Sequence, residues 1–81
     1  MILEIENYAD GSKMWFCATE KERKLHREDG PAVVCANGNL GWYIGGEFIN
    51  EEVKCWMEEN DFPNYTQWDD AIKVAFAMRF V

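Results

Sequence analysis

The chain has no long apolar stretch: none of its hydrophobic segments reaches the length of about 18 residues that a membrane-spanning helix needs. Its first six residues are acidic and alternate in polarity, unlike a secretory signal, which has a basic end and an apolar centre. We therefore expect a cytoplasmic protein with no membrane partner.

Residues that ligate metals are also scarce. The chain has one histidine and three cysteines, Cys17, Cys35 and Cys55, without a Cys-x-x-Cys pair. This odd number disfavours a disulfide framework. With His26, the cysteines could form a Cys3His zinc site, but structural zinc sites usually include a close ligand pair. We expect no metal and no cofactor, and treat the cysteines as small strand and helix residues.

Basic residues are few, and the net charge of −7 lies on one segment. Residues 47–70 hold eight carboxylates and one lysine, which sum to −7, while the rest of the chain holds seven acids and seven bases. A patch of one sign attracts basic partners and repels nucleic acid. We therefore expect no direct nucleic-acid binding. The same charge also serves solubility, which is the alternative interpretation.

Twelve aromatic residues, four of them tryptophan, provide the apolar area that a chain of 81 residues needs for one small core. The patterns predict a single α+β domain: an antiparallel β-meander of four to five short strands over residues 1–49, then two helices over 50–81. The strands are expected at residues 2–7, 13–18, 32–35, 40–44 and 48–49, with 19–24 as an exposed polar loop.

The turns and helix ends have their own signals. Asn37-Gly38 predicts a type I′ hairpin turn, and Asp29-Gly30-Pro31 predicts a turn in which the glycine provides a permissive φ. Asn50 is a good N-cap for the first helix, which Phe62-Pro63 ends. A capping box over residues 66–69 opens the second helix.

The stretch 74–81 is apolar nearly all round. A helix of this kind is buried on more than one side. Either it lies deep against the sheet, or its outer face forms a homodimer. A short final strand is the alternative.

Two copies of one pattern indicate an internal repeat. Both read Asp or Asn, Gly, three residues, Trp and an aromatic residue, and they lie 27 residues apart, at residues 10–16 and 37–43. A period of this size is typical of a repeat architecture built from one hairpin-sized unit.

Between the copies lies the run Leu25-His26-Arg27-Glu28-Asp29-Gly30-Pro31-Ala32, here called the signature loop. Together with the two repeat copies, it resembles the MORN-like, YwqK-type antitoxin repeats of small bacterial and phage proteins. The resemblance covers residues 10–46 and implies β-hairpin units. The first hairpin carries a four-residue extension, and the second unit has no signature loop, so we expect one full repeat, one partial repeat and a helical cap.

A catalytic role for the single histidine would need a companion nucleophile, a second histidine or a metal, so we do not expect an enzyme. We expect a small acidic interaction protein that binds and inhibits a protein partner with a basic surface, as an antitoxin or phage counter-defence protein would. The expected partner-binding residues are Glu51, Glu52, Glu58, Glu59, Asp61, Asp69 and Asp70. Trp56 and Trp68 are candidate anchors or core residues.

The alternative is a small-molecule or nucleotide-binding module with a pocket at the sheet or at a dimer interface. Its ligand-binding residues would be His26, Arg27, Trp15 and Trp42, which offer charge pairing and stacking.

Overall fold

The first strand forms where the sequence alternates in polarity, and the second where it is rich in aromatic residues. The computed structural model describes residues 2–81, and in it β1 (Ile2–Asn7) pairs antiparallel with β2 (Lys13–Ala18) over all six residues of each strand. Both strands have the predicted bounds. The antiparallel meander with two C-terminal helices is likewise confirmed.

The two Asp/Asn-Gly turns have the same geometry. In the first, Tyr8 N–H donates to Ser12 O (2.9 Å) and Gly11 N–H to Tyr8 O (3.0 Å), with a φ of +94° at Gly11. In the second, Cys35 N–H donates to Asn39 O (2.9 Å) and Gly38 N–H to Cys35 O (2.9 Å), with a φ of +91° at Gly38. These are three-residue turns closed by a left-handed glycine. The type I′ prediction at Asn37-Gly38 was therefore wrong.

Two short strands share the second edge of β2. They are β3 (Arg23–Leu25), opposite Phe16 to Ala18, and β4 (Val33–Val34), opposite Lys13 and Met14. The predicted polar loop thus ends earlier than expected, because its last residues pair with β2. The signature loop bulges out between β3 and β4. It is closed by Trp15, whose N–H donates to Ala32 O (2.8 Å) and whose C=O accepts from His26 N–H (3.0 Å).

The predicted strand over residues 40–44 is interrupted at Trp42. Its two halves are β5 (Leu40–Gly41), which pairs with β4, and β6 (Tyr43–Ile44), which forms a tight hairpin with β7 (Glu47–Phe48). The break follows from Asn50, whose side chain accepts from Trp42 N–H (2.6 Å) and donates to Leu40 O (3.2 Å). The Asn50 side chain forms hydrogen bonds with the backbone at the strand break and does not cap the helix, so the prediction that Asn50 is the N-cap was wrong.

The 27-residue repeat of the sequence is also a repeat of the strand pairing. Glu6 pairs with Met14 in the first unit, and Val33 and Gly41, each 27 residues later, pair with each other in the second. Trp15, which is bonded to Ala32 and His26, has its counterpart in Trp42, which donates to Asn50 Oδ1 and accepts from Ile49 N–H (2.9 Å). The Asn50 side chain therefore replaces the Ala32 carbonyl of the first unit, and a helix begins where a second signature loop would stand.

Two helices complete the chain. α1 (Asn50–Glu59) has Ile49 at its N-cap position, without a side-chain cap. α2 (Asp70–Phe80) is capped by Asp69, whose carboxylate accepts from Ile72 N–H (2.9 Å), so the first residue of the predicted capping box does not cap this helix. A 3₁₀ turn (Tyr65–Gln67), capped by Asn64, precedes α2. The chain end up to residue 80 is helix, not strand.

The core joins the second β unit to the helices. Its buried members are two strand-end residues and four from the helical segment: Trp42, Ile49, Val53, Trp56, Trp68 and Phe76. The Trp42 ring lies 5.3 Å from Trp68 and 5.2 Å from Phe76, centroid to centroid. Trp56 and Trp68 are therefore core residues. None of the helices in residues 2–81 is long and apolar enough to cross a membrane.

Candidate functional site

The acidic residues of α1 form an exposed surface. We call Glu51, Glu52, Glu58, Glu59 and Asp61 the α1 acidic surface. All five are exposed, and within residues 2–81 none of them forms a salt bridge or accepts a side-chain hydrogen bond. Asp61 adopts a positive φ (+53°) at the end of α1, a conformation that aspartate tolerates better than most residues.

This surface differs from β1, β3 and the signature loop in the number of salt bridges that its carboxylates form. The salt bridges that arginine and lysine form in the described part of the chain all lie between residues 4 and 29: Arg23 with Glu4 and Glu6, Lys24 with Glu22, and Arg27 with Asp29. The carboxylates of α1 lack such partners, so their charge acts outward. Screening limits that field to roughly 8 Å at physiological salt.

A groove runs beside α1 and combines charge with apolar area. It has a volume of about 480 Å³, with Val53, Met57 and Phe62 along its floor. Glu51, Glu58, Asp61 and a single lysine also line it. An apolar floor with an acidic rim suits a basic side chain with a long aliphatic stem, because the stem is buried while the charged end reaches carboxylates. The composition alone did not reveal this floor, although Met57 and Phe62 were visible as apolar residues next to the acids.

The other two predicted acidic residues lie elsewhere. Asp69 is exposed but serves as the N-cap of α2. Asp70 borders a separate hollow, together with Glu28, Asp29 and Lys73. The structure therefore places five of the seven predicted carboxylates along α1 and at its end: Glu51, Glu58 and Asp61 line the groove, and Glu52 and Glu59 line a neighbouring hollow with Glu51 and Arg79.

His26 is buried, with 7% of its surface exposed, and both ring nitrogens are bonded. Gly45 N–H donates to Nδ1 (2.8 Å), so Nδ1 must be unprotonated and the ring hydrogen lies on Nε2. That hydrogen is donated to Glu28 Oε2 (2.9 Å). Neither nitrogen is open to a substrate, and the ring joins the first repeat unit to the β6–β7 turn of the second.

Arg27 is held inside the signature loop. Its guanidinium stacks on the Trp15 ring, 3.9 Å from the centroid, and donates to Asp29 Oδ1 (2.8 Å) and Pro31 O (3.1 Å). Its other side faces Gly30, where a Cβ would lie 2.9 Å from Arg27 Cζ. Gly30 does not adopt a positive φ, so the predicted reason for this glycine was wrong. A larger residue at this position would displace the guanidinium of Arg27, because that group approaches the Gly30 backbone so closely.

Beside Trp15 lies a hollow of about 370 Å³, lined by Leu3, Ile5, His26 and Arg27 among others. Glu28 and Asp29 also line it, and their carboxylates disfavour an anionic ligand such as a nucleotide. Trp42 does not line this hollow but lies in the core at 6% exposure. The four residues predicted for a ligand pocket are thus divided between two places.

The cysteines are free: Cys17 and Cys35 are half-buried and Cys55 is exposed. Among residues 2–81 there is no group of three His, Cys, Asp or Glu side chains placed to hold a metal ion.

No family model, curated protein or solved structure matches this chain.

Proposed function

We propose that this chain is a non-catalytic interaction protein whose α1 acidic surface binds a protein partner with a basic surface. The observation that carries the proposal is the contrast in charge balance. Glu4, Glu6, Glu22 and Asp29 form salt bridges with arginine or lysine, whereas the five carboxylates of the α1 acidic surface are exposed and form none, beside a groove with an apolar floor.

Inhibition of the partner is the proposed consequence. A small chain that covers a basic functional surface blocks access to it, and an antitoxin or counter-defence protein acts in this way. Rim charges of this kind mainly raise association rates and determine which partner is accepted. The bonded state of His26 and Arg27 supports a structural role for the signature loop in such a protein.

We also propose that the chain forms a homodimer through α2. Val74, Met78 and Val81 are 57%, 82% and 60% exposed and lie along one face of the helix. A second copy covering this face would remove the apolar area from water, the main source of free energy in association.

Purification of the tagged protein from a bacterial host, at low and high salt, tests the main proposal. A stoichiometric partner should be retained at low salt and released at high salt. Replacing Glu58 and Glu59 by glutamine should weaken binding by roughly 0.4–2 kcal/mol, or about 2- to 30-fold in Kd, since each exposed ion pair contributes about 0.2–1 kcal/mol.

The control replaces Glu20 and Glu47 by glutamine, which changes the net charge equally at exposed positions outside α1. This control should leave Kd within about twofold if α1 is the contact surface, a difference of about 0.4 kcal/mol. The proposal fails if no partner is retained, or if both variants weaken binding alike. Inhibition is then measured as the partner's activity with and without the purified chain.

A further inference from the structure

The outer edge of β1 is open. β1 pairs with β2, and no other strand within residues 2–81 pairs with it. Ile5 lies opposite Trp15, whose N–H and C=O are bonded on the side of β2 away from β1. In an antiparallel ladder, Ile5 therefore directs its own N–H and C=O away from β2. Leu3 and Asn7, two residues to either side of Ile5, have the same orientation, so all three residues present unpaired N–H and C=O groups along the outer edge of β1.

This edge is also apolar. Ile2, Leu3 and Ile5 are 67%, 65% and 57% exposed. Leu3 and Ile5 share a sheet face with Trp15 and border the hollow of about 370 Å³ beside it. Long, apolar, unpaired edges are rare in native proteins because they recruit further strands.

The second repeat unit shows what such an edge binds. Glu6 of β1, which pairs with Met14, is equivalent to Val33 of β4, which pairs with Gly41. On its other side, β4 pairs antiparallel with β2. The open edge of β1 is thus the counterpart of an edge that is occupied by an antiparallel strand in the second unit.

A second copy of the chain fits this edge poorly. Backbone pairing requires the outward residues of one strand to meet outward residues of the other. The two antiparallel registers of β1 with itself that pair five residues of each strand place Glu4 opposite Glu4, or Glu4 opposite Glu6. Registers centred on Leu3 or on Glu6 pair only three residues of each strand. Like charges directly opposite each other destabilise a strand pair.

A basic segment fits the same positions. Arg23 forms salt bridges with both Glu4 (3.3 Å) and Glu6, so two carboxylates share one guanidinium and leave an excess negative charge. We propose that the β1 edge binds an extended, antiparallel segment of another protein, with lysine or arginine side chains opposite Glu4 and Glu6 and aliphatic side chains on the face of Leu3 and Ile5. This added strand is a mode of recognition separate from the α1 acidic surface.

The test uses an end-blocked peptide of eight alternating lysine and valine residues at millimolar concentration, with amide hydrogen exchange followed by NMR. We expect exchange to slow at Leu3, Ile5 and Asn7, whose N–H groups gain partners, and to change little at Glu4 and Glu6, which are already bonded to β2. Replacing both Leu3 and Ile5 by lysine should reduce peptide binding at least tenfold. Phe48→Lys, the same type of change at an exposed position of β7, should leave it unchanged.

Three results would overturn the proposal. The first is unchanged exchange along β1, including the case in which the peptide perturbs α1 alone. The second is equal binding of an alternating glutamate–valine peptide, which would remove the charge argument. The third is self-association of the chain that the Leu3 and Ile5 replacements abolish, because a second copy would then be the occupant. The readout at β1 is independent of any partner of α1.

Discussion

Asn50 is the residue whose replacement best separates two physical roles. As a helix N-cap, it would be replaced almost without loss by serine, which caps equally well. As the bridge at the strand break, it holds Trp42 N–H at 2.6 Å and Leu40 O at 3.2 Å, and a serine side chain is too short to reach both. Trp42 is 6% exposed, so its N–H would lose its partner in a place with little access to water.

The expected cost of Asn50→Ser follows from that buried donor. An unpaired buried donor destabilises a protein by about 1–3 kcal/mol. For a domain of this size, each kcal/mol lowers Tm by about 4–8 °C, so we expect a fall of at least about 4 °C. Asn50→Asp retains the acceptor for Trp42 but not the donor for Leu40, and should lie between serine and the native residue.

Thermal and urea unfolding followed by circular dichroism measure these differences. The matched control is Asn39→Ser, at an exposed position whose side chain makes no hydrogen bond within the described residues, and it should change stability by less than about 0.5 kcal/mol. Equal stability of Asn50→Ser and the native chain would refute the bridge. Equal stability of Asn50→Asp, together with a stable Asn50→Ser, would show that Asn50 acts as a cap.

Three further changes test the loop, the sheet and α2. Gly30→Ala should displace the Arg27 guanidinium and lower the free energy of unfolding by about 0.5–2 kcal/mol. In a double-mutant cycle, this loss should nearly vanish when Arg27 is already replaced by alanine, whereas additive losses would show that the close approach is unimportant. The Tyr8 hydroxyl donates to Glu6 (2.7 Å), and this hydrogen bond is the main reason that the pKa of Glu6 is lowered. The ionised Glu6 therefore stabilises the fold at neutral pH, and this contribution is lost as the pH falls through the lowered pKa. Tyr8→Phe should therefore raise the pKa of Glu6 towards its ordinary value in an NMR titration, and an unmoved titration curve would contradict the assignment. Met78→Glu should abolish concentration-dependent dimerisation in sedimentation experiments, and a chain that is already monomeric would refute the α2 dimer.

Local pattern was enough for much of the fold. The bounds of β1 follow from alternation, because side chains on a strand point to opposite faces with a period of two. Those of β2 follow from its aromatic content, which is typical of strands. The equivalent turns at Gly11 and Gly38 follow from the 27-residue repeat, although the type of turn did not. The exposure of the acidic residues on α1 was predictable, because ionised carboxylates are costly to bury.

The candidate sites needed contacts between distant residues. The apolar floor beside the α1 carboxylates exists because α1 packs next to Leu40 and Phe62, and no pattern within the helix specifies those neighbours. The open edge of β1 became visible only from the strand order, since alternation shows which residues form a strand and not which edge lacks a partner.

The sequence by itself determined the α+β class, the repeat period, the segment that carries the net charge and the presence of two helices, all of which depend on local composition and spacing. Tertiary structure alone decided the roles of individual polar residues. Asn50 bridges a strand break instead of capping a helix, and His26 binds Gly45, 19 residues away, instead of facing a substrate. The physical reason is that a side chain with several hydrogen-bonding options forms the bonds that leave no buried backbone group unpaired, and these groups are brought together only by the completed fold.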